Sequence, residues 1–293
     1  MMETKCAFVT LIGRPNVGKS TLLNALIGQK VSIVSPKPQT TRRKVTGVLT
    51  EGDTQLVFFD TPGLHKAKNK LGVYMDDIAE QSADGADIVV MVVESGDEVR
   101  PAERRMTGLL TGKKNILVIN KIDLRPKEDI LSTIAAFREI FPFDEIIPVS
   151  AYKKDGVDIL KTVLKNAARP SPFFYDGDAV TDMSEQEMIC ETAREKMLYL
   201  LGEEVPHGIA VSLSFLEKKS DIVRVGIDIV CERDAHKAII IGKGGQKLRE
   251  IGAAVRRELE FIYDGKVYLE CFVKVRKDWR NDIRSLATFG FSE

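Results

Sequence analysis

The stretch that decides the fold is a glycine-containing turn close to the first residues of the chain. It is Gly13-Arg14-Pro15-Asn16-Val17-Gly18-Lys19-Ser20, which has the spacing GxxxxGKS and continues into Thr21. An apolar run of strand length, residues 6–12, precedes it, and residues 20–26 have the pattern of a helix start. A strand, a turn and a helix N-terminus in this order direct several backbone N–H groups into one concavity that suits phosphate oxygens. The motif predicts a phosphate-binding loop; the alternative is a plain βα turn with an exposed lysine.

Three further signatures follow in a fixed order. They are Asp60-Thr61-Pro62-Gly63, Asn120-Lys121-Ile122-Asp123 and Ser150-Ala151. Each follows a short apolar run, so each is expected at the carboxyl end of a strand, where α/β sheets bind ligands. The ordered set predicts a site for a guanine nucleotide.

The residue types assign chemistry to the phosphate end of this site. Lys19 supplies a positive charge to the β- and γ-phosphates, and the hydroxyl of Ser20 is placed to coordinate Mg²⁺. The carboxylate of Asp60 is expected to reach the same ion directly or through water. A loop must offer one more hydroxyl in the triphosphate state, for which Thr41 is the first choice and Thr40 the second.

The base end of the site predicts selectivity for guanine. The carboxylate of Asp123 fits the two N–H donors of a guanine edge, and adenine would leave it unpaired. The stem of Lys121 is expected to pack along the base, while Ser150-Ala151 offers backbone N–H to guanine O6. The alternative, an ATPase, requires Asp123 to tolerate adenine.

Two polar segments, residues 38–43 and 61–69, are predicted to order when a γ-phosphate is bound, the second through the N–H of Gly63. Many GTPases have a glutamine directly after this glycine to orient water, but here the position is Leu64, so slow intrinsic hydrolysis is expected. Asn16 is a candidate ligand for K⁺ near the phosphates; the alternative is that it only hydrogen-bonds within its loop. The catalytic candidates are Lys19, Thr41, Gly63 and Asn16.

Composition describes an ordinary globular protein. The 293 residues have a formal net charge of +0 and are 44% hydrophobic, and no apolar run approaches the length of a membrane span. We expect no signal peptide, because the first five residues lead directly into a strand. The four cysteines are scattered and the three histidines are not clustered, which predicts reduced thiols and no zinc site.

The element order changes along the chain. Strands alternate with helices as far as residue 168, which predicts a doubly wound, mixed and mostly parallel α/β sheet. Arg169-Pro170-Ser171-Pro172 interrupts this pattern, so we predict domains at 1–170 and 184–293 with a linker at 171–183. The second domain is expected to be a smaller α+β fold in the order α-β-β-α-α-β, with a charged turn at Glu217–Asp221.

A GxxG motif separates two helices of the second domain. It is part of Ile241-Gly242-Lys243-Gly244-Gly245, which would bring bare backbone and a helix N-terminus against a sugar–phosphate chain. Residues 236–284 contain twelve Lys or Arg against seven Asp or Glu, a net charge of +5. This asymmetry favours an RNA-binding face over a simple helix–turn–helix corner. Lys274, Arg276 and Lys277 belong to this face or to a solvated strand end.

These motifs, together with Gln39-Thr40-Thr41-Arg42 and Leu64-His65, resemble those of the Era GTPases, bacterial proteins that join a Ras-like G domain to a type II KH domain. The resemblance covers nearly all 293 residues. It implies that the nucleotide and Mg²⁺ contacts come from the four signatures, Leu64 and Gln39-Thr40-Thr41. It also implies that Ile241 to Gly245 and Lys247 contact RNA.

The resemblance further implies GTP-dependent binding near the 3′ end of 16S ribosomal RNA and a role in assembling the 30S subunit. It implies a cytoplasmic protein with a peripheral fraction at the inner face of the cell membrane. We expect a monomer. The alternative is a membrane-linked signalling GTPase whose KH domain contacts proteins. A tRNA-modifying or other ribosome-associated GTPase is disfavoured, since those families tend to carry a second G domain or a CxxC site.

Overall fold

A computed structural model describes residues 4–64, 67–96, 98–110, 112–202 and 205–291, so His65 of the sequence motifs lies outside the described residues. Backbone contacts divide the chain into two units. The first contains residues 1–34, 41–67 and 72–182, and the second contains residues 35–40, 68–71 and 183–293.

The first unit is a sheet with helices on both sides. Its strands are β1 (Lys5–Ile12), β2 (Val45–Glu51), β3 (Thr54–Asp60), β4 (Ile88–Glu94), β5 (Lys114–Asn120), β6 (Glu145–Pro148) and β7 (Arg169–Pro170). The helices along this part of the chain are α1 (Lys19–Ile27), α2 (Lys70–Asp84), α3 (Pro101–Met106), α4 (Lys127–Arg138) and α5 (Val157–Ala167).

The strand order is β2-β3-β1-β4-β5-β6, and the short β7 pairs with β1. β1, β3, β4, β5 and β6 run parallel, while β2 and β7 are antiparallel to their neighbours. The predicted mixed, mostly parallel α/β sheet is confirmed. Residues 88–93 of β4 are at most 1% exposed, because helices cover both faces of a parallel sheet.

The strand register brings the sequence motifs to one edge. Leu11, two residues before the glycine turn, pairs with Asp60, and Glu94 pairs with Asn120. Ile119 pairs with Pro148, which lies two residues before Ser150. The carboxyl ends of five neighbouring strands, β3, β1, β4, β5 and β6, therefore meet at the same edge of the sheet.

A buried glutamine fixes the segment that follows β7. Gln55 of β3 is 0% exposed, and its side-chain oxygen accepts hydrogen bonds from the backbone N–H of Phe174 and Tyr175 at 2.8 and 3.1 Å. Further along, the N–H of Val48 donates to the carbonyl of Val180 at 2.9 Å. Residues 171–182 are thus held against strands of the first unit.

The second unit is a three-stranded sheet covered by helices. Its elements in chain order are α6 (Glu185–Leu200), β8 (Ala210–Lys218), β9 (Val223–Cys231), α7 (Asp234–Ile241), α8 (Gln246–Ile262), β10 (Val267–Val275) and α9 (Ile283–Thr288). The strand order is β10-β9-β8, with β9 parallel to β10 and antiparallel to β8. The buried side chains of α6 and α8 pack on the sheet; Ile189, Ile251 and Val255 are all 0% exposed.

Two features of this unit differ from the sequence prediction. β8 extends to Lys218 through an irregular register between Leu213 and Phe215, so the predicted turn at Glu217–Asp221 is too long. Beyond β10, Trp279 is 0% exposed and its ring nitrogen donates to the carbonyl of Gly208 at 2.9 Å. A C-terminal segment without predicted structure therefore contributes to the core.

No helix in the ranges described above is both long enough and apolar enough to cross a bilayer.

Candidate nucleotide site and KH loop

A carboxylate and three hydroxyls form the centre of the site. Asp60 is 0% exposed, and its Oδ2 accepts hydrogen bonds from Ser20 Oγ at 2.6 Å, Ser32 Oγ at 2.9 Å and Thr41 Oγ1 at 3.3 Å. The hydroxyls of Ser20 and Thr41 are 2.9 Å apart. Oδ1 of Asp60 is buried and has no hydrogen-bond partner in the structure. Hard oxygen donors around an unsatisfied carboxylate oxygen fit Mg²⁺.

The structure distinguishes between the two candidate threonines. Thr41 is 8% exposed and faces Asp60, whereas the hydroxyl of Thr40 donates to the carbonyl of Lys37 at 2.6 Å. Gln39 has a left-handed backbone, with φ of 60°, and both Gln39 and Thr40 group with the second unit. Among these residues, Thr41 is therefore the one that joins the hydroxyl cluster.

Lys19 is buried at the start of α1. Its Nζ donates to the carbonyls of Gly13 and Arg14, both at 3.1 Å. Burial lowers the pKa of Lys19 from 10.5 to about 8, and the negative charge of Asp60 opposes this shift only in part. Burial also raises the pKa of Asp60, against the effects of Lys19 and the hydroxyls. An anionic ligand would supply additional negative charge beside Lys19 and so stabilise its protonated form.

Asn120 connects two loops of the site. It is 3% exposed at the end of β5, and its Nδ2 donates to the carbonyl of Val17 at 2.9 Å. Its Oδ1 accepts from the N–H of Ala151 at 3.0 Å. One amide therefore joins the glycine turn to the loop after β6.

The remaining residues of the base end lie beside this amide. Ser150 Oγ donates to Asp123 Oδ1 at 2.6 Å, which holds the carboxylate in place. Lys121 has φ of 61°, and its Nζ lies 3.0 Å from Oε2 of Glu94. Ile122 donates its N–H to the carbonyl of Val149 at 3.3 Å. The structure thus brings the third and fourth signatures together.

The second signature packs against the glycine turn. A Cβ added to Gly63 would lie 2.5 Å from the backbone nitrogen of Pro15, so only glycine fits without movement. Thr61 is 0% exposed and donates its hydroxyl to the carbonyl of Leu11 at 2.8 Å, and Pro62 lies between these two contacts. Leu64 is 5% exposed and belongs to the same hydrophobic core cluster as Ile12.

Two neighbouring residues of the glycine turn differ in their exposure to solvent. Asn16 is exposed and has φ of 67°, while Val17 is 2% exposed and packs inward. Gly18 precedes the first residue of α1, and Thr21 lies in the first turn of that helix.

The sequence did not single out two further polar residues of this unit. Ser32 is 1% exposed, and its hydroxyl donates a hydrogen bond to Asp60. The backbone N–H groups of Val31 and Ser32 each donate to Oδ1 of Asn24 at 2.9 Å. Glu94 is the last residue of β4, and its Oε2 lies 3.0 Å from Nζ of Lys121. In neither case does a local pattern give a signal, because each contact depends on the fold.

The GxxG motif forms a tight corner between α7 and α8. Gly242, Gly244 and Gly245 have φ of 69°, 59° and 76°, and Lys243 and Gly244 are exposed. The guanidinium of Arg249 donates to the carbonyl of Gly244 at 2.9 Å, and Lys247 Nζ lies 2.6 Å from Oε2 of Glu250. Ile241 is partly buried at the end of α7.

A groove lies beside this corner. Its volume is about 630 Å³, between α8 and the edge strand β10. Its lining includes Gly245, Leu248, Arg256, Leu269 and Cys271. The groove combines apolar walls, arginine side chains and the free edge of a strand, which suits unpaired bases.

The fold and site together define a class of protein, a phosphate-loop GTPase with a KH domain. Residues 8–121 match the family described as 50S ribosome-binding GTPase, and residues 204–280 match the KH domain family. A GTPase Era of Clostridium novyi is 45% identical over 292 residues, covering 99% of both chains. One from Alkaliphilus metalliredigens is 42% identical, covering 99% of this chain and 100% of the relative.

Solved structures agree with these matches. An Aquifex aeolicus Era variant bound to GDP·AlF4⁻ has a TM-score of 0.95 and 37% identity, covering 99% of this chain and 100% of that one. An Era structure in complex with MgGDPNP and nucleotides 1506–1542 of 16S ribosomal RNA has the same TM-score, identity and coverage. The chain belongs to the GTPase Era family, as the sequence motifs predicted.

Proposed function

We propose that this protein binds GTP with Mg²⁺, hydrolyses it to GDP and phosphate, and binds the 3′ end region of 16S ribosomal RNA to assist assembly of the 30S subunit. The membership in the GTPase Era family and the RNA complex of a 37% identical Era structure support this proposal. They do not favour the alternative of a membrane-linked signalling GTPase.

We also propose a monomer that works in the cytoplasm, with domains at 1–170 and 184–293. The peripheral membrane fraction and a role for K⁺ remain predictions.

The observation that carries the GTPase function is the buried Asp60. Its Oδ1 lacks a partner while Oδ2 is surrounded by hydroxyls, and an unsatisfied buried carboxylate oxygen costs about 1–3 kcal/mol or more. Ser20, Thr41 and Asp60 would hold Mg²⁺, which would neutralise charge on the β- and γ-phosphates. Lys19 would contribute a second positive charge once its Nζ leaves the loop carbonyls.

The loops have separate roles in this proposal. Residues 13–18 wrap the phosphates with backbone N–H, and Gly63 presents its N–H to the γ-phosphate. Asp123 accepts from the guanine edge and Lys121 packs along the base. Ala151 would donate to O6 once its N–H leaves Oδ1 of Asn120. Residues 38–43 and 61–69 respond to the γ-phosphate.

Hydrolysis without a partner is expected to be slow. Leu64 occupies the position after Gly63 and packs in the core, so it offers no hydrogen bond to the attacking water. Asn16 is exposed in the glycine turn and is the proposed K⁺ ligand. Equal turnover in K⁺ and Na⁺ buffers would exclude that role.

We propose that the GxxG corner and the groove beside it form the RNA-binding surface. Lys243 and Gly244 are exposed at the corner, where they would meet the sugar–phosphate backbone, with Gly242, Gly245 and Lys247 supporting them. Ile241 and the apolar lining of the groove would support the bases.

A comparison of adjacent threonines tests the nucleotide site. We expect Thr41→Ala to keep GDP binding but to lose the Mg²⁺-dependent preference for a nonhydrolysable GTP analogue over GDP. Thr40→Ala should affect this preference less, because its hydroxyl bonds to Lys37. Titration of each variant with fluorescent GDP and GTP analogues, with and without Mg²⁺, measures the effect. A protein that binds ATP as tightly as GTP would contradict the proposed function.

A further inference from the structure

Glu103 is a buried carboxylate outside the four nucleotide signatures. It is 1% exposed, in the first turn of α3. Oε2 accepts from the backbone N–H of Arg100 at 3.1 Å, and Oε1 accepts from Nε of Arg14 in the glycine turn. Capping a helix needs a single acceptor oxygen. The second oxygen is therefore not needed for the cap, and it binds Arg14 instead. The helix that carries Glu103 begins 87 residues after Arg14 in the chain.

Arg14 is connected to the phosphate-binding lysine. Its carbonyl oxygen accepts from Lys19 Nζ at 3.1 Å, as does that of Gly13. The next residue, Pro15, lies against Gly63, where an added Cβ would be 2.5 Å from the proline nitrogen. The side chain of Arg14 is 19% exposed, so water screens its ion pair with Glu103 only weakly. Movement of Arg14 would therefore move the backbone that presents N–H groups to phosphate.

We propose that Glu103 is a positioning residue for the nucleotide site, acting through Arg14 on the backbone of the glycine turn. The inference rests on the proposed guanine-nucleotide function. Glu103 touches neither phosphate nor base; it fixes the loop before the ligand arrives, so less order has to be gained on binding.

A second ion pair of α3 provides a matched control. Arg105 is next but one to Glu103, and its guanidinium lies 2.8 Å from Oε1 of Glu80 in α2. Both side chains are largely exposed, at 57% and 44%. Glu80→Gln removes the same charge from an ion pair to an arginine of α3, and the described contacts of this pair do not involve the glycine turn.

The test is a double-mutant cycle in the full chain, using Glu103→Gln, Arg14→Met and the double variant, with Glu80→Gln as the control. Dissociation constants and off-rates for a fluorescent GDP are measured at a temperature where circular dichroism shows each variant to be folded. We expect each single variant to bind about tenfold more weakly, the double variant to lose no more than either, and Glu80→Gln to bind as the wild type does.

Single variants that bind GDP as tightly as the wild type, or losses that multiply to about a hundredfold in the double variant, would overturn the inference. A purely structural role would lower the unfolding temperature and leave the affinity of the folded protein unchanged. If Glu103→Gln does not fold, Arg14→Met keeps the bond between Glu103 and Arg100 and decides the question alone. Failure of the wild type to bind guanine nucleotide would instead refute the proposed function.

Discussion

Replacing Asn120 by alanine removes the side chain that joins the glycine turn to the loop after β6. The substitution deletes a donor to the carbonyl of Val17 and an acceptor for the N–H of Ala151. Val17 and Ala151 are 2% and 4% exposed, so water cannot replace the lost partner without rearrangement. Each buried group left unsatisfied costs about 1–3 kcal/mol, which gives a loss of about 2–6 kcal/mol.

This loss is large enough to measure in two ways. For a unit of this size, about 3 kcal/mol corresponds to a decrease of roughly 6–12 °C in Tm. Differential scanning calorimetry of the full chain reports that change. Affinity for fluorescent GDP should fall at least tenfold, because the phosphate and base loops no longer hold each other in position.

Two further variants sharpen the experiment. Asn120→Asp keeps the size of the side chain and can accept from Ala151, but it cannot donate to Val17, so GDP affinity should still fall. Asn115→Ala is the control: Asn115 is 5% exposed on the same strand, and its amide donates to the nearby carbonyl of Lys113 at 2.8 Å. It should leave GDP affinity unchanged. An Asn120→Ala protein with wild-type Tm and wild-type affinity would refute the reasoning.

Three other predictions concern single residues of the site. Asp123→Asn should shift the binding preference from guanine toward xanthine nucleotides, because the amide offers a donor to the 2-oxo group of xanthine. Competition binding with GDP and XDP measures this shift, and a retained guanine preference would refute the role of this carboxylate. The pKa of Lys19 is lowered to about 8, so at pH 8 about half of the Lys19 side chains are deprotonated in the nucleotide-free protein. GDP binding at this pH should therefore take up about 0.5 proton as Lys19 becomes protonated. Calorimetry in buffers of different ionisation enthalpy measures this uptake. Gly63→Ala should weaken binding of GTP analogues more than binding of GDP, since its Cβ would displace Pro15; equal losses for both nucleotides would contradict it.

The fold class could be predicted because the motifs and the sheet follow the same rule. Each signature comes after a short buried strand, and the carboxyl ends of parallel strands meet at one edge. Leu11 beside Asp60 and Glu94 beside Asn120 are consequences of that register. The roles assigned to individual site residues stay predictions until they are measured.

Contacts between distant residues could not be predicted in this way. Arg14 and Glu103 are 89 residues apart, and Gln55 and Phe174 are 119 apart. The pattern Arg100-Pro101-Ala102-Glu103 is typical of a helix start, with proline at the first position and glutamate at the third. It predicts a cap but carries no information about a second partner in the glycine turn.

Local irregularity explains the wrong turn in the second unit. The alternation of apolar and polar residues along β8 stops at Phe215-Leu216, directly after the point between Leu213 and Phe215 where the pairing with β9 shifts register. A strand pattern read from alternation ends too early at such a shift. Trp279 was missed for another reason, since a single aromatic residue among charged ones has no periodicity to mark it as buried.

The central claim is that the GxxG corner grips ribosomal RNA, and crosslinking with sequencing of bound RNA in cells tests it most directly. The wild type is compared with a Lys243→Asp, Gly244→Asp double variant that circular dichroism shows to be folded. We expect a peak at the 3′ end of 16S ribosomal RNA that is lost in the variant. An absence of RNA enrichment with the wild type, or an unchanged peak with the variant, would contradict the account.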